Sequence, residues 1–320
     1  MRSADAALAL SIALAACDPS PSPTGEEPGR SSATPAESVT AAESVRAAIS
    51  SLASPPEARP TLASSTPVVE SARPRSSAPR FLPDNPRCPV PNAFDSWSWR
   101  RVHRVEGLTE KAVVFTLDVG AKLPNLELVL DVLKRADIKT TIFLYTAELS
   151  QSERGKAAVR RMVADGHELA NHTLSHKDLT KLSGEEVERE LDEVERFVSE
   201  TTRGPSQVST KPFFREPFLA TNDEVDAIVR DKCYRPIWFT IDTADWEKGA
   251  TAEGIERHVF EHQDAKRKGK PRTIENGSIF IFHGSVSENV VALPRIIERL
   301  RGDGFAFLTL GEALRRAGGK

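Results

Sequence analysis

From residue 112 onward, short apolar runs alternate with amphipathic stretches. Residues 112–117 form an unbroken apolar run of strand type, and 125–136 repeat their apolar positions at helical spacing. Residues 140–145 predict a second strand. Residues 153–165 predict a helix that stops at Gly166, a residue able to take the left-handed conformation that ends helices. Ser183-Gly184-Glu185-Glu186 opens a long charged helix reaching about Glu200. Residues 236–240 and 278–282 predict further strands, 294–301 a helix, and 305–310 a closing strand. Strands that alternate with helices pair in parallel through right-handed crossovers. About seven such units suit an α/β chain folded as a distorted or incomplete (β/α) barrel. The C-terminal ends of barrel strands are where function gathers.

The first quarter of the chain lacks this pattern. No Phe, Trp or Tyr occurs between Cys17 and Arg80, and the stretch is rich in Ser, Pro, Ala and Thr. It cannot bury enough apolar surface to offset its chain entropy, so it reads as a tether, partly extended by its prolines. Residues 36–53 are expected to form no more than a transient helix. Ahead of the tether, Met1-Arg2 is followed by an apolar run, 6–16, too short to span a bilayer. The run ends in Leu14-Ala15-Ala16-Cys17, which resembles a bacterial lipobox; an ordinary signal peptide that contains a Cys is the alternative. The expected organisation is a signal peptide over 1–17, a tether over 18–88 and a catalytic domain over 89–320. A lipidated Cys17 would hold the protein at the membrane surface of the cell envelope, exported and reaching outward on its tether.

Composition excludes one class of partner. The formal net charge of −3 offers no concentrated basic surface for nucleic acid. Cys88 and Cys233 pair if the protein is exported, or stay two isolated thiols if it is not; no C-x-x-C spacing marks a zinc site.

The polar residues that follow the strands carry the chemistry. The first strand ends at Asp118, an apolar segment ends at Arg215, the 236–240 run leads into Asp242-Thr-Ala-Asp245-Trp246, and 278–282 ends at His283. His172 and His176 are four apart, which on a helical turn places two imidazoles on one face, suited to a divalent metal. Any one of these groups alone would be an ordinary cap or packing residue. Together, a barrel would bring them to one mouth. His258 and His262 share the four-residue spacing, but with no further ligand near them they read as a surface pair. The basic loop over 263–274 reads as solvated.

Five segments resemble, in order, the motifs of the NodB-homology polysaccharide deacetylases, carbohydrate esterase family four. They are Thr116-Leu-Asp118-Val-Gly120, His172-Thr-Leu-Ser-His176, Arg215-Glu-Pro217-Phe218, Asp242-Thr-Ala-Asp245-Trp246 and Ile281-Phe-His283. The resemblance spans residues 112–310 and implies a NodB-type incomplete barrel. It also implies roles. Asp118 is the general base, and Arg215 keeps it ionised and oriented. His172 and His176 hold a divalent metal, with zinc, cobalt and nickel as candidates. The Phe218 amide helps hold the oxyanion. His283 is the general acid, held charged by Asp245, and Trp246 walls the site against sugar. The implied reaction removes N-acetyl groups from an amino-sugar polymer, with peptidoglycan favoured by the envelope location, and the implied state is a monomer.

One position departs from the pattern. Val119 stands where the family has the Asp that supplies a third metal ligand, and valine cannot ligate. Three outcomes follow: water or another carboxylate fills the place, Asp118 moves onto the metal, or the protein binds glycan without turnover.

Overall fold

The computed structural model describes residues 81–82, 85–89, 99–261 and 273–318. The signal peptide with Cys17, the tether up to residue 80, His262 and the basic loop up to residue 272 lie outside the described residues. Strand β1 (Phe81–Leu82) pairs antiparallel with β2 (Asn85–Pro89). These strands overlap the end of the stretch read as tether, 18–88.

Strand β3 (Ala112–Val119) is the axis of the main sheet. Its alternation separates two layers. Val113, Phe115, Leu117 and Val119 join the cluster that includes α1 (Leu123–Arg135) and α6 (Asn289–Gly302); Ala112 and Val114 join an interior cluster with Phe143, Phe213, Ile237 and Ile279. Both faces are apolar because both are covered, as parallel strands require. On one side, β3 pairs with β9 (Ile279–His283). On the other, its second half pairs with β4 (Thr141–Leu144) and its first half with β10 (Ala306–Leu308). The sheet continues through β5 (Glu168–Asn171) and β6 (Phe213–Phe214) to β7 (Arg235–Pro236), and beyond β9 to β8 (Ile241–Asp242). Every pairing in it is parallel. The result is a curled, incomplete barrel whose seven-strand path carries β10 as an eighth strand beside β3.

The helices sit close to their predicted places. α2 (Glu153–Ala164) is capped by Ser152, whose side chain accepts from the Gly155 amide, and the chain leaves it through Gly166 at φ 84°. α3 (Gly184–Thr201) begins with a full capping box between Ser183 and Glu186. α4 (Asp223–Asp231) starts at an Asn222 cap, and α5 is Ala252–Glu261. α6 starts one turn before the expected Pro294, which lies inside it, and α7 (Leu310–Arg316) follows β10, where the sequence predicted only strand. The run 236–240 is not one strand. β7 pairs with β6 and β8 with β9, and between them the Ile237 and Trp238 carbonyls accept from the Arg215 guanidinium (3.0 and 3.3 Å). A side chain thus takes carbonyls that a continuous ladder would have used. Among the described residues no helix is long and apolar enough to cross a membrane.

Of the two alternatives for the cysteines, the structure has the bond. Cys88 and Cys233 form a disulfide with Cα atoms 5.4 Å apart, tying β2 to the turn between α4 and β7 across 145 residues of sequence. A cross-link over so long a loop restricts the unfolded chain strongly. Replacing both cysteines by serine is expected to lower the unfolding free energy by about 2–4 kcal/mol, read as a lower urea midpoint. An unchanged midpoint, together with two titratable thiols in the native protein, would contradict the bond.

Candidate active site

Asp118, at the end of β3, is the centre of the grouping. Arg215 follows β6 and is fully buried. Its Nη1 donates to Asp118 Oδ1 (2.7 Å) and to Thr116 Oγ1 (3.0 Å), and its plane lies 4.1 Å from the Phe143 ring centre. Burial alone would push the Asp118 carboxyl up. The Arg215 guanidinium outweighs it, aided by His172 and His283, and holds the group below the usual carboxylate range. The base candidate is therefore ionised and fixed in direction.

His172 sits beside this pair. Its Nδ1 is 2.8 Å from the Arg215 carbonyl oxygen, and its Nε2 is 3.4 Å from Asp118 Oδ2. Burial holds the imidazole at about 4, so it is neutral near pH 7. The carbonyl contact assigns its one proton to Nδ1. Nε2 then presents a lone pair to an anionic oxygen, two acceptors face to face, which is an arrangement a cation satisfies. The His176 ring lies 4.9 Å from that of His172, between Tyr145 (5.0 Å) and Phe218 (4.9 Å).

The His-x-x-x-His spacing is not helical here, contrary to the sequence reading. The residues occupy a loop after β5, with Thr173 and His176 at positive φ (74° and 57°). Local hydrogen bonds impose this shape. Asn171 Oδ1 accepts from the Thr173 amide, Thr173 Oγ1 accepts from the His176 amide, and the buried Glu190 of α3 accepts from both the amide and hydroxyl of Ser175. The loop, not a helix face, brings the two rings together.

A second group lies across the strand boundary. His283 at the end of β9 is the register partner of Asp118. Its Nδ1 and its amide nitrogen both bond Asp245, at 2.8 and 2.7 Å. Asn289, at the start of α6, donates to Asp245 Oδ2 (2.6 Å) and to the His283 carbonyl (3.0 Å). Burial works against the charged imidazole, but the bond to Asp245 and the charges of Asp245, Asp118 and Asp242 win, and His283 sits above its usual value. Phe218 and Trp246 are the exposed large apolar side chains of the described residues, at 71% and 56%. Phe218 touches His176, and Trp246 donates from Nε1 to Asp242 Oδ1 (3.3 Å).

Comparison with known proteins agrees with this geometry. A family model described as polysaccharide deacetylase matches residues 106–237. A peptidoglycan-N-acetylglucosamine deacetylase of Bacillus cereus is 26% identical over 211 residues, covering 64% of this chain and 89% of that protein. A crystal structure of a family CE4 pseudoenzyme from Bacillus anthracis is 26% identical with a TM-score of 0.57, covering 68% of this chain and 70% of that one. A mutant of that pseudoenzyme with restored enzymatic activity is 25% identical, also at a TM-score of 0.57, covering 68% and 72%. Residues 106–237 thus match the polysaccharide deacetylase family.

Several residues of this site carried no sequence signal. Tyr145 follows β4 and faces both imidazoles, with its hydroxyl pushed up to about 12 by burial. Gly120 makes room for it: a Cβ at 120 would lie 2.3 Å from the Tyr145 ring. Asn289 and Glu190 act behind the predicted groups, and only their spatial position gives them meaning.

Val119 is buried in the apolar layer with Leu126, and a Cβ on Gly284 would come within 2.7 Å of it. Among the described residues no three His, Cys, Asp or Glu side chains are arranged to hold a metal ion. The donors present fit a divalent ion held by two imidazoles. The nearest carboxylate, Asp118, already bonds Arg215 through its other oxygen. Val119→Asp is expected to lower the stability of the metal-free protein by about 3 kcal/mol or more, because it buries an unpaired charge. Thermal melts with and without zinc check this. Zinc recovers the loss if the new carboxylate reaches the imidazoles, and a metal-free variant as stable as the parent would contradict the placement of Val119.

Proposed function

We propose that this domain hydrolyses N-acetyl groups on an amino-sugar polymer, with envelope peptidoglycan as the favoured substrate. The observation that carries the reading is the register of Asp118 with His283 across β3 and β9, each ion-paired to a different buried partner. One carboxyl is held below its usual range and one imidazole above its usual value, a few ångströms of strand spacing apart. That is the division of labour that acid–base hydrolysis requires.

Asp118 takes the proton of the attacking water while Arg215 keeps its carboxylate aligned. The Phe218 amide takes up charge developing on the carbonyl oxygen. His283 keeps its Nδ1 proton on Asp245 and gives its Nε2 proton to the leaving nitrogen, so the C–N bond breaks as a neutral amine departs and acetate remains. His172 and His176 would hold a divalent ion, zinc being the first candidate with cobalt and nickel behind it. Such an ion supplies Lewis acidity, polarising the carbonyl and acidifying water. Trp246 and Phe218 offer exposed rings for sugar faces. The disulfide supports an exported location. With the lipobox-like Cys17, it supports a protein anchored by lipid at the cell envelope and acting as a monomer.

Val119 favours a second reading, a glycan-binding pseudoenzyme, and the similarity to a CE4 family pseudoenzyme of B. anthracis supports weighing it. Kinetics separate the two. Acetate release from chitotetraose by the zinc-supplemented protein should fall on the alkaline side only above the usual imidazole value of about 6.5, because His283 must stay protonated and its folded value is raised. The same sign applies to stability: the His283–Asp245 pair contributes below about pH 6.5, and that contribution is lost as pH rises through the raised value. His283→Asn should reduce kcat by about 10²–10⁴-fold. Glycan binding without acetate release at any pH would leave the pseudoenzyme reading standing alone.

A further inference from the structure

Residues 99–105 precede the stretch that the family model matches, yet they reach the site. Val102 forms a bridge with Ile237: its amide donates to the Pro236 carbonyl (3.0 Å), and its carbonyl accepts from the Trp238 amide (2.7 Å). This places Arg101 against the turn that follows Arg215. Arg101 Nη2 donates to Glu216 Oε1 (2.6 Å) and to Asp226 Oδ1 of α4 (2.9 Å), and the guanidinium lies 4.7 Å over the Trp238 ring. The Glu216 side chain is fully buried. Its other oxygen accepts from Trp238 Nε1 (3.0 Å), and the Trp238 carbonyl in turn accepts from Arg215 Nη2 (3.3 Å).

A closed ring of contacts therefore runs from Arg101 through Glu216 to Arg215, on to Trp238, and back to Arg101. The turn it encloses is strained. Phe218 and Leu219 both adopt left-handed backbones, φ 58° and 55°, which residues with a Cβ hold only when their surroundings insist. The Leu219 amide closes this turn onto the Glu216 carbonyl (3.1 Å). Glu216 is thus the fixed post of the turn, and a buried carboxylate stays in place only while its partners hold it.

We propose that Arg101 is a positioning residue of the deacetylase site. Through Glu216 it fixes the Arg215–Phe218 turn, and so the direction of the Arg215 guanidinium and of the Phe218 amide. Asp226 shares the guanidinium from the solvent side and steadies it. The segment ahead of the barrel is by this account a part of the site, although no residue in it touches substrate.

The kinetic half of this inference rests on the hydrolase reading, so the test has a readout independent of turnover. Arg101→Gln in the full chain should speed amide hydrogen exchange at residues 218–220 while leaving β3 and β9 protected. With chitotetraose as substrate, kcat should fall by about tenfold to a hundredfold with KM little changed. Arg101→Lys keeps the charge but not the planar stack, and should fold and recover part of kcat. The double variant Arg101→Gln, Glu216→Gln removes the unpaired buried charge. It should regain melting temperature without regaining kcat, which a purely structural role would not produce. Unchanged exchange at 218–220 in Arg101→Gln, or parental kcat in the double variant, would overturn the proposal. If the parent releases no acetate, the hydrolase reading fails and the exchange result alone decides the clamp.

Discussion

The buried pair of Arg215 and Asp118 is the constraint on which the rest of the site depends. A guanidinium with no exposed surface must find an acceptor for each N–H it can, and here those are Asp118, Thr116 and the carbonyls of Ile237 and Trp238. Meeting them breaks the strand between β7 and β8, fixes the end of β3 and leaves the Arg215 carbonyl for His172. Removing either charge would strand the other in the interior, at a cost of about 3–5 kcal/mol. The pair is thus a structural commitment as well as a chemical one.

That distinction bears on Val119. Asp118 is held by Arg215, and His283 by Asp245 with Asn289, and neither arrangement runs through Val119. Asp245 receives donors from an amide, an imidazole and a carboxamide, more than a residue kept only for packing would need.

Much of the fold was legible in the sequence where local physics decides it. The capping box at Ser183 and the stop at Gly166 each rest on one or two residues and a backbone angle, and each stands where the pattern put it. The edges of the sheet were not legible. β5 is only four residues and runs into the polar His172 loop, while β7 and β8 are two residues each, too short for periodicity to register. The motif residues could be read because each is a strand-end polar group. Their supports could not. Arg101, Glu190 and Asn289 are ordinary charged or amide residues in sequence, and only tertiary contact makes them partners of Glu216, Ser175 and Asp245. The helical geometry expected for His172 and His176 failed for a related reason: side-chain bonds from Asn171, Thr173 and Glu190 outweigh the preference suggested by spacing.

In the proposed hydrolysis an ionised Asp118, held by Arg215, takes a proton opposite His283, whose imidazole sits above its usual value. Acetate release from an N-acetylated glycan, measured for the zinc-supplemented protein and for Asp118→Asn at equal glycan occupancy, tests it most directly. The account predicts release by the parent and loss of about 10²-fold or more in the variant, with glycan affinity kept. Equal release by the two proteins, or none by the parent on any N-acetylated glycan, would contradict it.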